Sequence, residues 1–285
     1  MHRLRIQHLT EYQFFSPVTL NPHRLLLRPR EGHDLRIESS RLAISPAYQI
    51  HWYRDVFDNS VAMVSFSEPA NRLSIFSELV IQHYADPLDN VRPEPILNSA
   101  VFKYDSQECL ELSAFKQTVY RDEGLTLCQW LHDWGIDTHT QHTFDVLLNL
   151  NQFIHKQFHY RIREEVGVQS PLTTIKLGCG SCRDYATLMM EACRCLGFAS
   201  RFVSGYLHAP ATEAGNATTH AWAEIYIPGF GWQGFDPTSG CMTSNKHIAV
   251  AVARNPGLVS PVSGSYVGPA NVGAQLIVNV QVNSM

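Results

Sequence analysis

The sequence predicts an α+β protein in which a β-rich N-terminal domain precedes a mixed core. Three observations support this prediction. Residues 1–90 contain several short alternating segments separated by turn residues, which is typical of a β-sandwich-like domain. Residues 91–160 change to a helical period. Residues 161–285 hold one strongly amphipathic helix followed by strand-like segments, which predicts a helix packed on an antiparallel sheet.

The N-terminal domain is predicted from its alternating strands. Leu4, Ile6 and Phe14 lie on one face of the first strand. Further strands are expected at residues 25–27, 34–44, 48–53, 60–66 and 72–83. The proline-rich, polar stretch 87–95 predicts a domain boundary after them.

The middle segment predicts helices that pack on the core. They are expected at residues 107–119, 125–135 and 143–158. In the last of these, apolar residues recur at helical spacing: Phe144, Val146, Leu147, Leu150, Phe153 and Ile154. Residues 159–177 are expected to form a loop that leads into the next helix.

The stretch Gly178–Leu196, GCGSCRDYATLMMEACRCL, predicts a glycine-rich loop that runs into an amphipathic helix. Ser181 and Asp184 have the spacing of a capping box, and Gly197 fits a C-terminal cap. Cys182 therefore lies in the first turn, where free backbone N–H groups and the helix dipole favour a thiolate. The neighbouring glycines would let a substrate backbone approach closely.

A nucleophilic thiol needs a base, and the base needs a group that orients it. His220 in HAWAEIY and Asp236 in GWQGFDPT follow on segments that predict adjacent strands. Later strands are expected at residues 247–253 and 275–282. A helix N-terminus that faces such strands can bring thiol, imidazole and carboxylate together.

Each of these residues also has a simpler interpretation. Cys182 could be a small buried hydrophobic residue. His220 is one of 14 histidines, with His208 and His247 as its nearest rivals in sequence, and Asp236 could be a turn residue before a proline. The combination of the three motifs favours the catalytic interpretation.

The same motifs resemble a known family. GxCRDYATLMMEACRCLGFASRFVSGYL and HAWAEIYIPGFGWQGFDPT resemble the core of the transglutaminase-like superfamily of cysteine enzymes. HLTEYQFFSPVTLNPHRLLLRPR and WYRDVFDNSVAMVSF resemble the N-terminal region of its bacterial branch. The resemblance implies a papain-like, transglutaminase-like core with Cys182 as nucleophile, His220 as base and Asp236 as orienting group.

Two further side chains and one backbone group are also hypothesised to belong to the site. Tyr160 and the backbone N–H of Cys182 are candidates for stabilising an oxyanion, because acyl-transfer sites use such donors. Trp222 lies on the same strand face as His220 and is a candidate for lining the cleft, although packing on the sheet is the commoner role.

Cys179 and Cys182 form a C-x-x-C pair, which raises a dithiol redox motif or half of a metal site as alternatives. No second well-spaced pair follows, since Cys193 and Cys195 are two residues apart on a helix and face different directions. No acidic segment has the spacing of a calcium loop. The sequence therefore predicts no metal ion, independence from calcium and no cofactor.

The predicted chemistry is acyl transfer through a thioester on Cys182, with a peptide or protein amide as substrate. Hydrolysis by a cysteine protease or amidase is slightly favoured over transfer to an amine by a transglutaminase, because an amine acceptor needs a water-poor site. The alternatives are acyl transfer of the arylamine acetyltransferase type and a binding or scaffold module that has lost activity.

The composition limits the remaining classes. The chain has 285 residues, 45% hydrophobic and 17% charged, as in a globular protein. A net charge of −4 argues against a general nucleic-acid binder. No apolar run suits a signal peptide or a membrane span, and seven cysteines do not make a secreted disulfide framework. A cytoplasmic protein without membrane or nucleic-acid partners is expected, and its oligomeric state is left open.

Overall fold

The computed structural model describes residues 2–84, 103–136, 143–163, 165–208, 219–270 and 272–285. Within them the chain has the predicted α+β fold, with two sheets built largely from the N-terminal part and a third sheet carrying the helices. The predicted boundary at 87–95 lies outside the described residues, as do residues 209–218 of the connection before His220.

The two N-terminal sheets are antiparallel and face each other as a sandwich. The first contains β1 (His2–Leu20), β3 (Leu35–Ser45) and β6 (Ala70–His83), and the second β2 (His23–Leu25), β4 (Tyr48–Arg54) and β5 (Ser60–Phe66). Alternate residues of their strands point into a shared core of Phe14, Val18, Leu20, Leu25, Ala62, Val64, Leu73 and Ile75. The alternating pattern thus predicted β1, β3, β4, β5 and β6, whereas the strand expected at 25–27 lies two residues earlier, as β2. β4 is exposed along its whole length, so it has no buried face.

The last three strands complete the N-terminal sheets, although the sequence grouped them with the core segment 161–285. β14 (Val262–Ser263) pairs with β2, while β15 (Tyr266–Val267) and β16 (Ala274–Ser284) pair with β1. The β1–β16 ladder runs from Leu4 opposite Ser284 to Phe14 opposite Ala274. An alternating segment predicts a strand but does not identify its partner, which here is the long free edge of β1.

The third sheet is the base of the core. Its strand order is β12–β11–β10–β9–β13. The strands are β9 (Ser200–Leu207), β10 (Thr219–Ile227), β11 (Gly231–Asp236), β12 (Cys241–Met242) and β13 (His247–Ala253). The amphipathic helix predicted from Gly178–Leu196 is Cys182–Cys195, and it packs mainly on β10 and β9. Its buried face includes Tyr185, Ala186, Met189, Ala192 and Cys193, as the periodicity predicted.

The other helices surround this central one. In chain order they are α1 (Ser106–Glu111), α2 (Ser113–Lys116), a 3-10 turn (Arg121–Glu123), α3 (Gly124–Asp133), α4 (Thr143–Gln157), α5 (Pro171–Leu177) and the central helix, α6; a second 3-10 turn spans Pro256–Leu258. The expected loop 159–177 contains α5, which begins at a Ser170 cap followed by Pro171. It also begins with β7 (His159–Tyr160), which pairs in parallel with β8 (Cys179–Gly180).

A buried histidine joins the first N-terminal sheet to the core sheet. His8 on β1 hydrogen-bonds through Nδ1 to the Tyr206 hydroxyl on β9 (2.9 Å) and through Nε2 to the Thr10 hydroxyl (3.0 Å). Burial disfavours the charged imidazolium and lowers the pKa of His8 from 6.5 to about 4. The contact between the two sheets therefore depends on a neutral imidazole.

This histidine is expected to make stability fall in mild acid. An unfolded chain protonates His8 near pH 6.5 whereas the folded chain resists until about pH 4. The contribution of neutral His8 to the free energy of unfolding is therefore complete above pH 6.5, and about 3 kcal/mol of it is lost by pH 4. Urea unfolding between pH 7 and pH 4 should show a shallower loss in His8→Gln than in wild type. His51→Gln, at an exposed site on β4, should retain the wild-type slope; equal slopes in all three proteins would contradict this role for His8.

Candidate active site

Cys182 is the first residue of α6. The loop before it is held by Asp184, whose Oδ2 accepts hydrogen bonds from the backbone N–H and the hydroxyl of Ser181 (both 2.8 Å). This confirms the predicted N-terminus of the helix. The thiol is half-buried, so a reagent can reach it.

The two glycines before Cys182 both serve the loop itself. Gly178 caps the C-terminus of α5 with φ = 65°, a conformation that favours glycine. Gly180 lies against Asp184, and a Cβ at position 180 would come within 2.9 Å of the Asp184 Cβ. Both glycines therefore fix where Cys182 stands.

The Asp184 carboxylate is fully buried and organises the surrounding loop. Its Oδ1 accepts hydrogen bonds from Arg163 Nη1 (2.8 Å) and from the backbone N–H of Gln169 (2.7 Å). The adjacent Arg183 donates to the carbonyl oxygens of Arg163 and Glu165. The segment before Cys182 is thus tied to the helix that bears it.

His220 and Asp236 meet on the core sheet beneath this helix end. His220 lies near the start of β10 and Asp236 at the end of β11, the neighbouring strand. His220 Nε2 is 3.0 Å from Asp236 Oδ2, and both side chains are buried. The other carboxylate oxygen, Oδ1, accepts a hydrogen bond from the backbone N–H of Thr238 (2.9 Å).

The Cys182 thiol is close enough to the imidazole to affect the pKa of His220. Burial alone would lower the pKa of His220, but hydrogen bonds to Asp236 and Cys182, together with their charges, outweigh it and raise the pKa to about 10. Burial raises the pKa of Asp236, and hydrogen bonds from His220 and His247 more than reverse this, leaving that pKa well below its usual range. At neutral pH this arrangement favours an imidazolium held by a carboxylate.

Tyr160 lies on the open side of the thiol. It is placed there by the parallel pairing of β7 with β8, which sets Tyr160 beside Gly180. Its side chain is close enough to Cys182 for the charge of the sulfur to affect it, and its residue surface is 52% exposed. Partial burial and the nearby charge of Cys182 raise the pKa of Tyr160 to about 12, so the phenol keeps its proton.

Trp222 does not line an open cleft, and this corrects the expectation from sequence. Only 2% of its surface is exposed, and it packs in a small cluster with Val203 and Val252. Its side chain leaves the strand on the buried face, under the imidazoles, with ring centroids 6.3 Å from His220 and 5.2 Å from His247. Trp222 therefore supports the site from below rather than binding substrate.

His247 belongs to the site, although the sequence offered it only as a rival of His220. It begins β13, and its Nε2 is 3.2 Å from Asp236 Oδ2. Nothing in its local sequence shows this contact, because β13 reaches the site by pairing with β9 on the side opposite β10. Only the order of strands in the sheet brings the two histidines to the same oxygen.

Within the described part of the chain, the same three residues form a group whose side chains could together hold a cation. His220, Asp236 and His247 offer ligand atoms within 4.8 Å of one another. The hydrogen bonds among these atoms account for their proximity, and we assign no metal there.

Cys179 and Cys182 are both free thiols. Among the described residues, no helix is long and apolar enough to cross a membrane.

Comparison with protein families gives two matches. Residues 4–82 match the bacterial transglutaminase-like N-terminal region, and residues 135–237 match the transglutaminase-like superfamily. Cys182, His220 and Asp236 all lie within the second match. Together the two matches span well over half of the chain.

Relatives extend the similarity along nearly the whole chain. An uncharacterized protein of Mycobacterium tuberculosis is 28% identical over 288 residues, covering 92% of this chain and 87% of the relative. An uncharacterized protein of Mycobacterium leprae is 23% identical over 286 residues, covering 98% and 99%. The order of the N-terminal region and the core is thus shared by full-length relatives.

A solved structure shares the fold. The crystal structure of a candidate cysteine protease from Cytophaga hutchinsonii superposes with a TM-score of 0.78 at 18% identity, covering all of this chain and 91% of the other. This likeness shows the architecture rather than the reaction. The chain belongs to the transglutaminase-like superfamily, in the bacterial group whose core follows a β-rich N-terminal region.

Proposed function

We propose that the protein is a cysteine enzyme that acts on amide bonds of peptides or proteins through an acyl-thioester on Cys182. The observation that carries this proposal is the buried hydrogen bond between His220 and the Asp236 carboxylate, with the Cys182 thiol at the start of α6 close enough to raise the pKa of that histidine. A nucleophile, a base and an orienting group in this order are what acyl transfer needs.

The first half-reaction uses the proton that His220 holds. The Cys182 thiolate attacks the amide carbonyl carbon, and the imidazolium of His220 then gives its proton to the leaving nitrogen. The C–N bond breaks, an amine leaves and a thioester remains on Cys182. Asp236 holds the ring through Nε2, so that Nδ1 faces the reacting atoms.

The second half-reaction frees the enzyme. Neutral His220 accepts a proton from water, the resulting hydroxide attacks the thioester carbon, and the acid product leaves as the thiolate is restored. An amine could take the place of water and give transamidation instead. We favour hydrolysis because the site is open beside Cys182: Tyr160, which lies next to the thiol, is 52% exposed, which gives water access.

The experiment that tests this function uses a mixture of peptides from a protein digest, incubated in H2(18)O with a fluorescent primary amine present. Hydrolysis would place 18O in new C-termini or in carboxylates formed from side-chain amides, whereas amine transfer would attach the fluorophore. Cys182→Ala is the control and should give neither product. Labelling that persists in Cys182→Ala would refute the thioester. If the wild-type protein adds neither label to the peptide mixture, the binding-module alternative is favoured.

Tyr160 is expected to contribute to the transition state rather than to the fold. Its protonated hydroxyl lies beside the thiol, where the oxyanion of a tetrahedral intermediate would form. Removing one such donor typically costs about 100-fold in turnover. We therefore expect Tyr160→Phe to lower kcat by about this factor for the peptide that the labelling identifies, with an unchanged melting temperature. Tyr53→Phe, on the distant strand β4, is the matched control. An unchanged kcat in Tyr160→Phe would remove this residue from the mechanism.

A further inference from the structure

The geometry points to a role for His247. We propose that it is a positioning residue that fixes the Asp236 carboxylate by donating a hydrogen bond to the same oxygen that holds His220. The proposal rests on the proposed function of the Cys182 site and adds a fourth residue to that site.

Three groups approach the oxygens of the Asp236 carboxylate as hydrogen-bond donors. Thr238 N–H binds Oδ1 at 2.9 Å, while His220 and His247 approach Oδ2 at 3.0 and 3.2 Å. The terminal torsion of an aspartate is soft, so its donors decide its orientation. Without His247, Oδ2 would be held by His220 alone, which is the ring that Asp236 has to orient.

The tautomer of His247 is set by the backbone. The Ser244 N–H donates to His247 Nδ1 at 3.1 Å, and the His247 N–H donates back to the Ser244 carbonyl at 2.9 Å. A backbone N–H can only donate, so Nδ1 is an acceptor and the proton of the neutral ring is on Nε2. His247 therefore donates its Nε2–H to Asp236 Oδ2, the same oxygen that His220 approaches.

The ring is also fixed by packing. Trp222 stands edge-on to His247, with an interplanar angle of 81°. Gly205 on β9 leaves room for this arrangement, because a Cβ there would come within 2.7 Å of the Trp222 indole. The His247 side chain is only 8% exposed, so it is a positioning residue and not one that touches substrate.

Two substitutions separate donation from packing. In His247→Gln the side-chain amide can place an N–H near the position of Nε2, but the ring is lost. In His247→Phe the ring remains against Trp222 and the donor is lost. If His247 acts by donating, Gln restores function and Phe does not; if it acts only by filling space, the order is reversed.

The test measures the rate at which iodoacetamide alkylates Cys182 at pH 7 in the full chain, by peptide mass spectrometry. The exposed Cys241 in the same molecule gives the reference rate, and EDTA removes stray metal ions. We expect His247→Phe to slow Cys182 about tenfold, as loss of one charge-assisted hydrogen bond would. His247→Gln should stay within about twofold of wild type. His247→Leu is a second donor-free variant should the phenylalanine protein be poorly folded, and melting temperatures are recorded for all.

His220→Ala, measured in the same series, keeps the two levels of the argument apart. If His220→Ala slows Cys182 while His247→Phe matches wild type, the role of His247 is overturned and the proposed function stands. If His247→Gln is slower than His247→Phe, His247 acts by packing and the proposal is also overturned. If His220→Ala leaves the rate unchanged, the proposed function fails and the role of His247 fails with it.

Discussion

Replacing Cys182 by serine is expected to lower turnover of the identified peptide by at least about a thousandfold, with little change in stability. A serine hydroxyl fits the same half-buried place, but it does not form the anion that a thiol forms beside an imidazolium. The loss therefore reports the nucleophile and not the fold. Turnover and melting temperature, measured on the same preparation, separate the two.

Cys179→Ser is the matched control for this variant. Cys179 lies three residues earlier on β8 and shares the C-x-x-C motif, so it tests the dithiol alternative directly. We expect turnover within about twofold of wild type, because acyl transfer uses one thiol. Equal loss in the two serine variants would mean that the thiols act as a pair, which would contradict the single-nucleophile mechanism.

The second large effect concerns stability. Asp184→Ala is expected to lower the free energy of unfolding by about 3–5 kcal/mol, as breaking a buried ion pair does. The change leaves Arg163, whose side chain is 12% exposed, without its carboxylate. It also leaves the backbone N–H groups of Ser181 and Gln169 without an acceptor. Urea unfolding measures the loss.

Asp105→Ala supplies the comparison, since Asp105 is the N-cap of a capping box at the exposed start of α1, whereas Asp184 is the third helical residue of a buried one. Its loss should cost about 1 kcal/mol, the usual value of an exposed cap. If Asp184→Ala costs no more than Asp105→Ala, the loop before Cys182 is not organised by the buried carboxylate.

Local sequence patterns were sufficient for most of the elements, and they predicted which helix and strands carry Cys182, His220 and Asp236. Apolar residues alternate with polar ones in β1 and β6 and recur at helical spacing in α6. These patterns indicate which face of each element is buried, because all the residues that form a pattern belong to the same element. Cys182 could be placed because the capping box of Ser181 and Asp184 marks the start of its helix. These signals lie within about ten residues of the feature they predict.

The features that sequence did not predict depend on partners far along the chain. β16 alternates clearly, yet its pairing with β1 joins residues at opposite ends of the sequence. His247 meets Asp236 only because β13 and β10 flank β9 in the sheet. Trp222 shares a face with His220, but the packing of Val203 and Val252 around it decides that this side chain is buried. Register and strand order are tertiary properties, and no local period encodes them.

The central claim is that the Cys182 thiol and the His220 imidazole form an ion pair, and the pH dependence of alkylation tests it most directly. The measurement is the iodoacetamide rate at Cys182 from pH 5 to pH 10, by peptide mass spectrometry, in wild type and His220→Ala. His220 keeps its proton up to about pH 10, and an imidazolium beside a thiol speeds the reaction of that thiol. Cys182 should therefore be alkylated faster at neutral pH in the wild type than in His220→Ala, and the two rate profiles should differ in shape. Two superimposable profiles would contradict the ion pair and, with it, the proposed enzyme.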